Sequence, residues 1–522
     1  MKTRSAWIKH IAEGMFCLLA AAALLAVCSR SSFLYAFNNW DDANSYFTVG
    51  KGIMNGLMPY RDLFDQKGPI LYFLYGIAYL ISHTTFRGVY VIEMLCGAAD
   101  LLAVLRIISL YTEDASAPFC KAIPYLLTPV TGMLMFSSRS FYWGGSAEEM
   151  LLPSLLWGLY LLMRYFKKVY PAPLSDRTVF AAGLLAGCVF LIKFNSLGFY
   201  FGFMVMVLIA DSKRFLRHCC VFLFGMFLSA LPWILFFAIR GALYDLFHVY
   251  IYLNAFVYSE KLPLAERLYR MLRIIYAHMR SNWQYACPAA LGLVLLFARA
   301  VAKKGKWTEL AAPVMTGGFL LTGIFIGGVE LLYYPFPAAA FACLGAAGTA
   351  AVLADASGRG SADRRKEKAE ETADRKDGRF AGLAAAFGAA GVGIGVLCAL
   401  LLSMNVHFMK YEKDDLWMYH FRDRIAESGI KAPTLLNVNC FDAGLYTVAD
   451  ILPTCRYFQT QTIKLDDVAL TQQVFIDEGR TDFVLSRDHE PQNIGRHYRK
   501  IAEEVMEQSE NTYVYYLYEK AD

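Results

Sequence analysis

Ionisable side chains are concentrated between Trp40 and Pro69, a stretch that follows the first long apolar run of the chain. The residues that could do chemistry there are Asp41, Asp42, Arg61, Asp62, Asp65 and Lys67. A carboxylate can take a proton from an acceptor hydroxyl, and a lysine can hold a phosphate group. This combination predicts an ordered loop at a membrane surface that deprotonates an acceptor and holds the phosphate of a lipid-borne donor.

The composition places this loop in an integral membrane protein. Of the 522 residues, 57% are apolar and only 18% are charged, which indicates many membrane spans. The net charge is only +5, and basic residues form short clusters between apolar runs, as in cytoplasmic loops. A nucleic-acid partner is therefore excluded. Of the twelve cysteines, only Cys440 and Cys455 are placed to form an exported disulfide.

Alternation of apolar runs and basic turns predicts eleven spans with a cytoplasmic N-terminus. The first run is predicted to be an uncleaved span, with a signal peptide as the alternative, and both leave residues 37–68 outside. Residues 70–82 are too few to span, because about 20 are needed, so they predict an interfacial helix. The predicted spans are 11–27, 89–108, 119–136, 150–165, 179–192, 199–210, 221–239, 285–300, 310–326, 334–353 and 381–404. A long exposed segment, 240–282, is expected between the seventh and eighth spans.

The fold class expected is an all-α polytopic membrane protein of the plasma membrane with a C-terminal α/β domain. Residues 1–355 form the transmembrane catalytic module, with residues 37–87 as its first outer loop. Residues 356–379 are a charged, low-complexity cytoplasmic linker, and 380–404 are the last transmembrane helix. Odd parity places residues 405–522 outside, where helix-like and strand-like pieces alternate. These pieces are 415–428, 434–439, 465–478, 482–486 and 513–518, with a buried strand at 434–439.

Three outer loops carry further charges that a bundle of spans would bring together. The candidates outside the first loop are Arg139, Glu148, Glu149 and Lys193. Ionisable residues at membrane depth are costly, so their convergence predicts a functional site. Each also has a structural alternative, because the acidic pairs at 41–42 and 148–149 could cap helices. Lys67 could be an interfacial anchor, and Arg139 and Lys193 could be flanking charges.

The first loop resembles that of bacterial GT-C fold glycosyltransferases, a group that contains protein mannosyltransferases and the aminoarabinose transferase of lipid A. The resemblance rests on Trp-Asp-Asp-Ala-Asn-Ser-Tyr from Trp40 and on the segment from Gly56 to Pro69. It implies that Asp41 is the catalytic carboxylate, and that the element Lys67-Gly68-Pro69 meets the donor phosphate. The pair Asp41-Asp42 departs from the usual Asp-Glu, and Gly68 is inserted in the Lys-Pro element.

Two further elements extend the resemblance to later loops. The segment Gly145-Ser146-Ala147-Glu148-Glu149 resembles an acidic position of the second outer loop, and either glutamate fits it. Tyr333-Tyr334-Pro335 is similar to a tyrosine-rich element that heads a later span. The resemblance therefore adds Glu148 to the catalytic candidates and places Asp42, Glu149, Tyr333 and Tyr334 among the substrate-binding candidates.

The mechanism implied is a single displacement with inversion at the anomeric carbon. Asp41 acts as general base, and Lys67 with Arg139 or Lys193 stabilises the departing polyprenyl phosphate. Glu148 could instead join Asp41 in holding magnesium or manganese, which prefer carboxylate oxygens. The partners implied are a polyprenyl-phosphate-linked sugar and a lipid, glycan or protein acceptor, and neither sugar nor acceptor is specified.

Two other functions stay open on the sequence. A transporter or lipid flippase would also have many spans, although no inverted repeat or pair of broken helices is evident here. A non-catalytic envelope assembly protein would act through residues 405–522 and use its spans as an anchor. Asp41→Asn would leave the function of an assembly protein intact, and release of polyprenyl phosphate from a polyprenyl-phosphate sugar by the purified protein would favour the transferase over both alternatives.

Overall fold

The apolar runs of the chain fold into long helices. The computed structural model describes residues 2–258, 262–361, 373–463, 465–508 and 511–521. The α-helices are α1 (Lys2–Cys28), α2 (Asp41–Met54), α3 (Pro69–Ile81), α4 (Arg87–Ser109), α5 (Pro118–Phe136), α6 (Ala147–Arg164), α7 (Asp176–Lys193), α8 (Gly198–Ala210), α9 (Phe215–Ile239), α10 (Leu243–Asp245), α11 (Leu264–Ser281), α12 (Trp283–Val301), α13 (Trp307–Phe325), α14 (Cys343–Ser361), α15 (Ala373–Leu402), α16 (Trp417–Glu427), α17 (Leu445–Val448) and α18 (Asp466–Asp477).

Eight stretches of the described chain are long and apolar enough to cross a membrane, which confirms a polytopic membrane protein. They are Trp7–Cys28, Pro118–Phe136, Asp176–Ala210, Ser212–Ile239, Trp283–Val301, Trp307–Phe325, Phe336–Ser357 and Phe380–Leu402. Two predicted spans, 179–192 and 199–210, share one of these stretches as α7 and α8. Two others, 89–108 and 150–165, lie in α4 and α6, helices of 23 and 18 residues.

The chain divides into two compact units, and the first contains most of the long helices. Unit 1 consists of Met1–Ser29, Glu93–Leu231 and Lys261–Val406. Within it α15 packs along α5, and small residues allow the two backbones to come close. A Cβ on Gly391 of α15 would lie 2.6 Å from the carbonyl oxygen of Leu126 in α5, so a larger side chain there would force the helices apart.

Unit 2 consists of Arg30–Ile92, Pro232–Glu260 and His407–Asp522. It joins the first loop, with α2 packed on α3, to the C-terminal domain. A four-stranded sheet has the order β1-β2-β4-β3, in which β1 and β2 are parallel and the other pairs antiparallel. Its strands are β1 (Leu435–Val438), β2 (Phe483–Arg487), β3 (Tyr498–Gln508) and β4 (Asn511–Lys520).

The predicted α/β character of residues 405–522 is confirmed, and three expectations need comment. Cys440 and Cys455, the candidate pair for a disulfide, are both free thiols buried in the core, where cysteine acts as a small apolar residue. The predicted linker 356–379 lies partly outside the described residues, at 362–372. The segment 240–282, expected as a long exposed connection, contains α10, a π-helix at Leu246–Val257 and α11.

Candidate active site

The helix α2 presents the acidic pair of the first loop at its N-terminus. Trp40 is the N-cap residue in an extended conformation, and Asp41 and Asp42 occupy the first turn. Because unpaired N–H groups give a helix N-terminus partial positive charge, carboxylates there are stabilised. The first turn of α2 thus favours the two carboxylates, although neither aspartate is the N-cap residue. Trp40 occupies the N-cap position, and its side chain makes no capping hydrogen bond.

Asp41 is half-buried and has an environment that favours its protonated form. Burial raises the pKa of Asp41 from 3.8 to about 7. The positive charge of Arg487 opposes this rise, whereas the negative charges of Asp42 and Asp442 add to it. A carboxyl with a pKa near neutrality can both accept and release a proton at physiological pH, which is the requirement for a general base.

Lys67 pairs with the second aspartate of the loop. Its Nζ lies 3.8 Å from Oδ2 of Asp42 and 5.5 Å from the ring centre of Tyr46. The Tyr46 hydroxyl donates to the same Asp42 oxygen at 3.0 Å. The Lys67 backbone is also held, because its N–H donates to the Tyr72 hydroxyl and its carbonyl accepts from the Tyr60 hydroxyl, each at 2.7 Å. Lys67 is thus a fixed ammonium group with a carboxylate partner.

Unit 1 brings four of the predicted site residues together. Glu148, the second residue of α6, forms an ion pair with Lys193 at the end of α7. The Lys193 Nζ lies 3.6 Å from the ring centre of Tyr334 and 5.5 Å from that of Tyr333, so the ammonium is attracted by aromatic faces as well as by a carboxylate. Glu148 is buried, and the Lys193 side chain is 12% exposed.

The two adjacent glutamates make different contacts. Glu149 turns back to the start of α6, where its Oε2 accepts from the Gly145 N–H at 2.8 Å. Its own N–H donates to Oγ of Ser146, the N-cap residue, at 3.0 Å. Both contacts belong to the end of the helix, as the capping alternative expected. Glu148 is instead the glutamate that contacts Lys193.

Arg139 is exposed, in the connection between α5 and α6. Its charge acts on His278 at the end of α11. Burial lowers the pKa of His278, the charge of Glu330 opposes this, and the charge of Arg139 adds to it. Arg139 takes no part in the contacts of Lys193 with its carboxylate partner and the two tyrosine rings.

Contacts from the C-terminal domain to α2 are the functional feature that the sequence did not reveal. Thr48 donates to Oδ2 of Asp442 at 2.6 Å. The buried ammonium of Lys51 donates to the Tyr446 carbonyl at 2.7 Å and lies 3.5 Å from Oδ1 of Asp450. Burial lowers the pKa of Lys51 to about 8, and both Asp450 and Asp442 oppose this shift.

A local signal for these contacts does exist in the first loop. Asn44, Ser45, Thr48 and Lys51 repeat at helical spacing, so they lie on one polar face of α2. A polar face on a helix that is otherwise apolar predicts a polar partner, but it does not identify one. Among the described residues, no group of three or more His, Cys, Asp or Glu side chains is arranged to hold a metal ion.

Comparison with known proteins gives structural relatives. No protein-family model and no curated protein sequence matches the chain. The crystal structure of ArnT from Cupriavidus metallidurans bound to undecaprenyl phosphate is similar with a TM-score of 0.60 at 11% identity, covering 96% of this chain and 97% of that one. Its apo state gives a TM-score of 0.61 at 10% identity, covering 99% and 98%.

A weaker likeness is to the archaeal oligosaccharyltransferase AglB from Archaeoglobus fulgidus, in complex with an inhibitory peptide and a dolichol-phosphate. Its TM-score is 0.41 at 11% identity, covering 92% of this chain and 70% of that one. The match to ArnT extends over nearly the full length of both chains. The chain therefore has the GT-C fold, the polytopic membrane fold that ArnT represents.

Proposed function

We propose that this protein is a glycosyltransferase that moves a sugar from a polyprenyl-phosphate donor to a hydroxyl group of a cell-envelope acceptor. The fold of ArnT, one structure of which is bound to undecaprenyl phosphate, supports this class of reaction. The observation that carries the proposal is the position of Asp41: a half-buried carboxyl at the head of α2, with a pKa raised to about 7.

In the proposed reaction Asp41 removes the proton of the acceptor hydroxyl. The acceptor oxygen then bonds to the anomeric carbon while the bond from that carbon to the phosphate oxygen breaks, with inversion. Polyprenyl phosphate leaves with the bonding electrons. Asp41 gives its proton to water after the product departs. A positioned general base of this kind contributes about 10²- to 10⁴-fold in rate.

Lys67 and Lys193 are the two candidate cations for stabilising the phosphate that leaves. Each already has a carboxylate within its own unit, Asp42 for Lys67 and Glu148 for Lys193. These pairs keep an ammonium group in place before the donor binds, which reduces the cost of ordering it. We infer that Glu148 acts through Lys193. A magnesium or manganese ion held by Glu148 would have to displace that ammonium group.

The proposed topology has the N-terminus in the cytoplasm and both the first loop and residues 405–522 outside the plasma membrane. The association of these two segments in unit 2 supports placing them on one side. Reporter fusions test this orientation. An alkaline phosphatase fused after residue 521 is expected to be active, and one fused at the cytoplasmic turn near Lys213 is expected to be inactive.

The transferase activity is tested directly with the purified full-length protein in lipid nanodiscs. The protein is incubated with a panel of radiolabelled polyprenyl-phosphate sugars and envelope extracts, and release of polyprenyl phosphate is measured with transfer of the label. Wild type is expected to release the lipid, and Asp41→Asn is not. A flippase would move the lipid across the membrane without breaking the sugar bond, and an assembly protein would leave the donor unchanged; either result would overturn the proposal.

A further inference from the structure

A cavity of about 290 Å³ lies in unit 2, apart from the residues assigned to the reaction. Segments that are distant in sequence line it: the chain that follows α1, the start of α4, and the connection before α16. Its polar lining includes the three basic residues Arg30, Arg87 and Lys413, and the hydroxyl residues Ser31, Ser32 and Thr85. Guanidinium, ammonium and hydroxyl groups are the donors that proteins use to bind phosphate.

Arg30 supplies a fixed cation. The residue is only 4% exposed. Its Nη2 donates to the Asn39 side-chain oxygen at 2.6 Å, and its guanidinium carbon lies 3.9 Å from the ring centre of Phe408. These contacts hold the guanidinium in one orientation, so little side-chain entropy would be lost when an anion binds.

Arg87 and Lys413 are exposed and complete the basic lining. Glu412 is the acidic residue of the lining, and its carboxylate caps the short turn at Lys413–Asp415 by accepting from a backbone N–H of that turn. The lining thus carries three basic groups against one acidic group that is already engaged. Its net positive charge favours an anion.

The positions of the lining residues in the sequence place the cavity at the level of lipid headgroups. Arg30 follows the apolar stretch Trp7–Cys28 almost directly, and Arg87 is the first residue of α4. Phe33 and Leu34, which also line the cavity, are 63% and 41% exposed, as expected for side chains that enter the lipid interface. Basic groups at this level attract anionic headgroups.

We propose that this cavity binds a phosphate group at the membrane surface, and that a phospholipid with an exposed phosphate supplies it. The site is separate from the proposed donor site, because none of Asp41, Asp42, Lys67, Glu148 or Lys193 lines it. The cavity binds the phosphate by its charge, while the lipid chains lie beside Phe33 and Leu34. Soluble inorganic phosphate could make the same contacts as the phosphate of a phospholipid, and the experiment distinguishes these two ligands.

The test uses full-length protein in detergent micelles of a zwitterionic or non-ionic detergent. Binding of fluorescent phosphatidic acid is titrated and compared with binding of fluorescent phosphatidylcholine. Inorganic phosphate is then added as a competitor. The double variant Arg87→Gln, Lys413→Gln removes two exposed charges and leaves the buried Arg30 in place. The matched control is Arg496→Gln, Lys431→Gln, which removes the same two charge types from exposed positions of the C-terminal domain.

Wild type and the control variant are expected to bind phosphatidic acid in preference to phosphatidylcholine. The variant Arg87→Gln, Lys413→Gln is expected to bind phosphatidic acid about tenfold more weakly than wild type does. Competition by inorganic phosphate supports the phosphate group as the part recognised. Binding of inorganic phosphate without phosphatidic acid assigns the site to a soluble source. Equal binding by both double variants, or no binding of either ligand by wild type, would overturn the proposal. Melting temperatures of all variants establish that they are folded.

Discussion

The hydroxyl of Thr48 donates to Oδ2 of Asp442 at 2.6 Å, and so joins α2 to a residue 394 positions later in the chain. Asp41 begins the same helix. The C-terminal domain therefore helps to set the position of the proposed general base. In this arrangement residues 405–522 are part of the proposed catalytic apparatus.

Thr48→Val is expected to destabilise the protein and lower its transferase activity. Valine keeps the volume of threonine but leaves the buried Asp442 carboxylate without one donor, at a cost of about 1–3 kcal/mol. The melting temperature in detergent and the rate of polyprenyl-phosphate release measure the two effects. Thr48→Ser retains the hydroxyl and is the control; if it behaves like Thr48→Val, the hydrogen bond is not the cause.

Asp41→Asn is expected to reduce the rate by about 10²- to 10⁴-fold without unfolding the protein. Because burial raises the pKa of Asp41, the ionised carboxylate is the less favoured form in this environment, and a neutral amide should not lower the melting temperature. Asp423→Asn is the matched control, since Asp423 is an exposed acid of the C-terminal domain. Full activity of Asp41→Asn would exclude Asp41 as the base.

The activity is expected to rise with pH through about 7. The base must be deprotonated to act, and the pKa of Asp41 is raised to about 7, so kcat/KM should increase about tenfold per unit below that pH and level off above it. Arg487→Gln removes a positive charge that opposes the rise in pKa, and should shift the profile to higher pH. Arg487→Lys should retain the original profile, as should Arg496→Gln.

Lys193→Met is expected to weaken use of the donor more than Arg139→Gln does. Lys193 is held against Glu148 and Tyr334, whereas Arg139 is exposed. A fixed cation near a developing phosphate charge contributes more than a solvated one. We expect Lys193→Met to lower kcat/KM for the polyprenyl-phosphate sugar at least tenfold (~1.4 kcal/mol). Equal effects of the two substitutions would show that the ion pair in unit 1 has no special role.

Local sequence patterns predicted much of the fold. The predicted interfacial helix 70–82 is α3 at Pro69–Ile81, because its length and apolar composition leave few alternatives. In the C-terminal domain, the predicted strand 434–439 is β1 at Leu435–Val438. The strand β3 was missed, because its charged residues hide the alternation of a half-exposed strand.

The sequence indicated the candidate site residues individually, but it did not indicate which of them form pairs. Residue types and the loop motif pointed to Glu148 and Lys193, which the structure brings into contact. The partner of Lys67 is Asp42, a choice that depends on how the loop folds back between Tyr60 and Tyr72. The effect of Arg487 on the pKa of Asp41 acts between residues that are far apart in the chain, and one sequence contains no signal for it.

The shared core of α2 and the C-terminal domain also constrains how the protein is made. The first loop is translated long before the buried partners of Thr48 and Lys51, because Asp442 lies 394 positions after Thr48 and Tyr446 lies 395 after Lys51. Until then Thr48 and Lys51 lack these partners from the C-terminal domain. A nascent chain that stalls before residue 442 would therefore carry the eight apolar stretches of the described chain and an unfinished first loop.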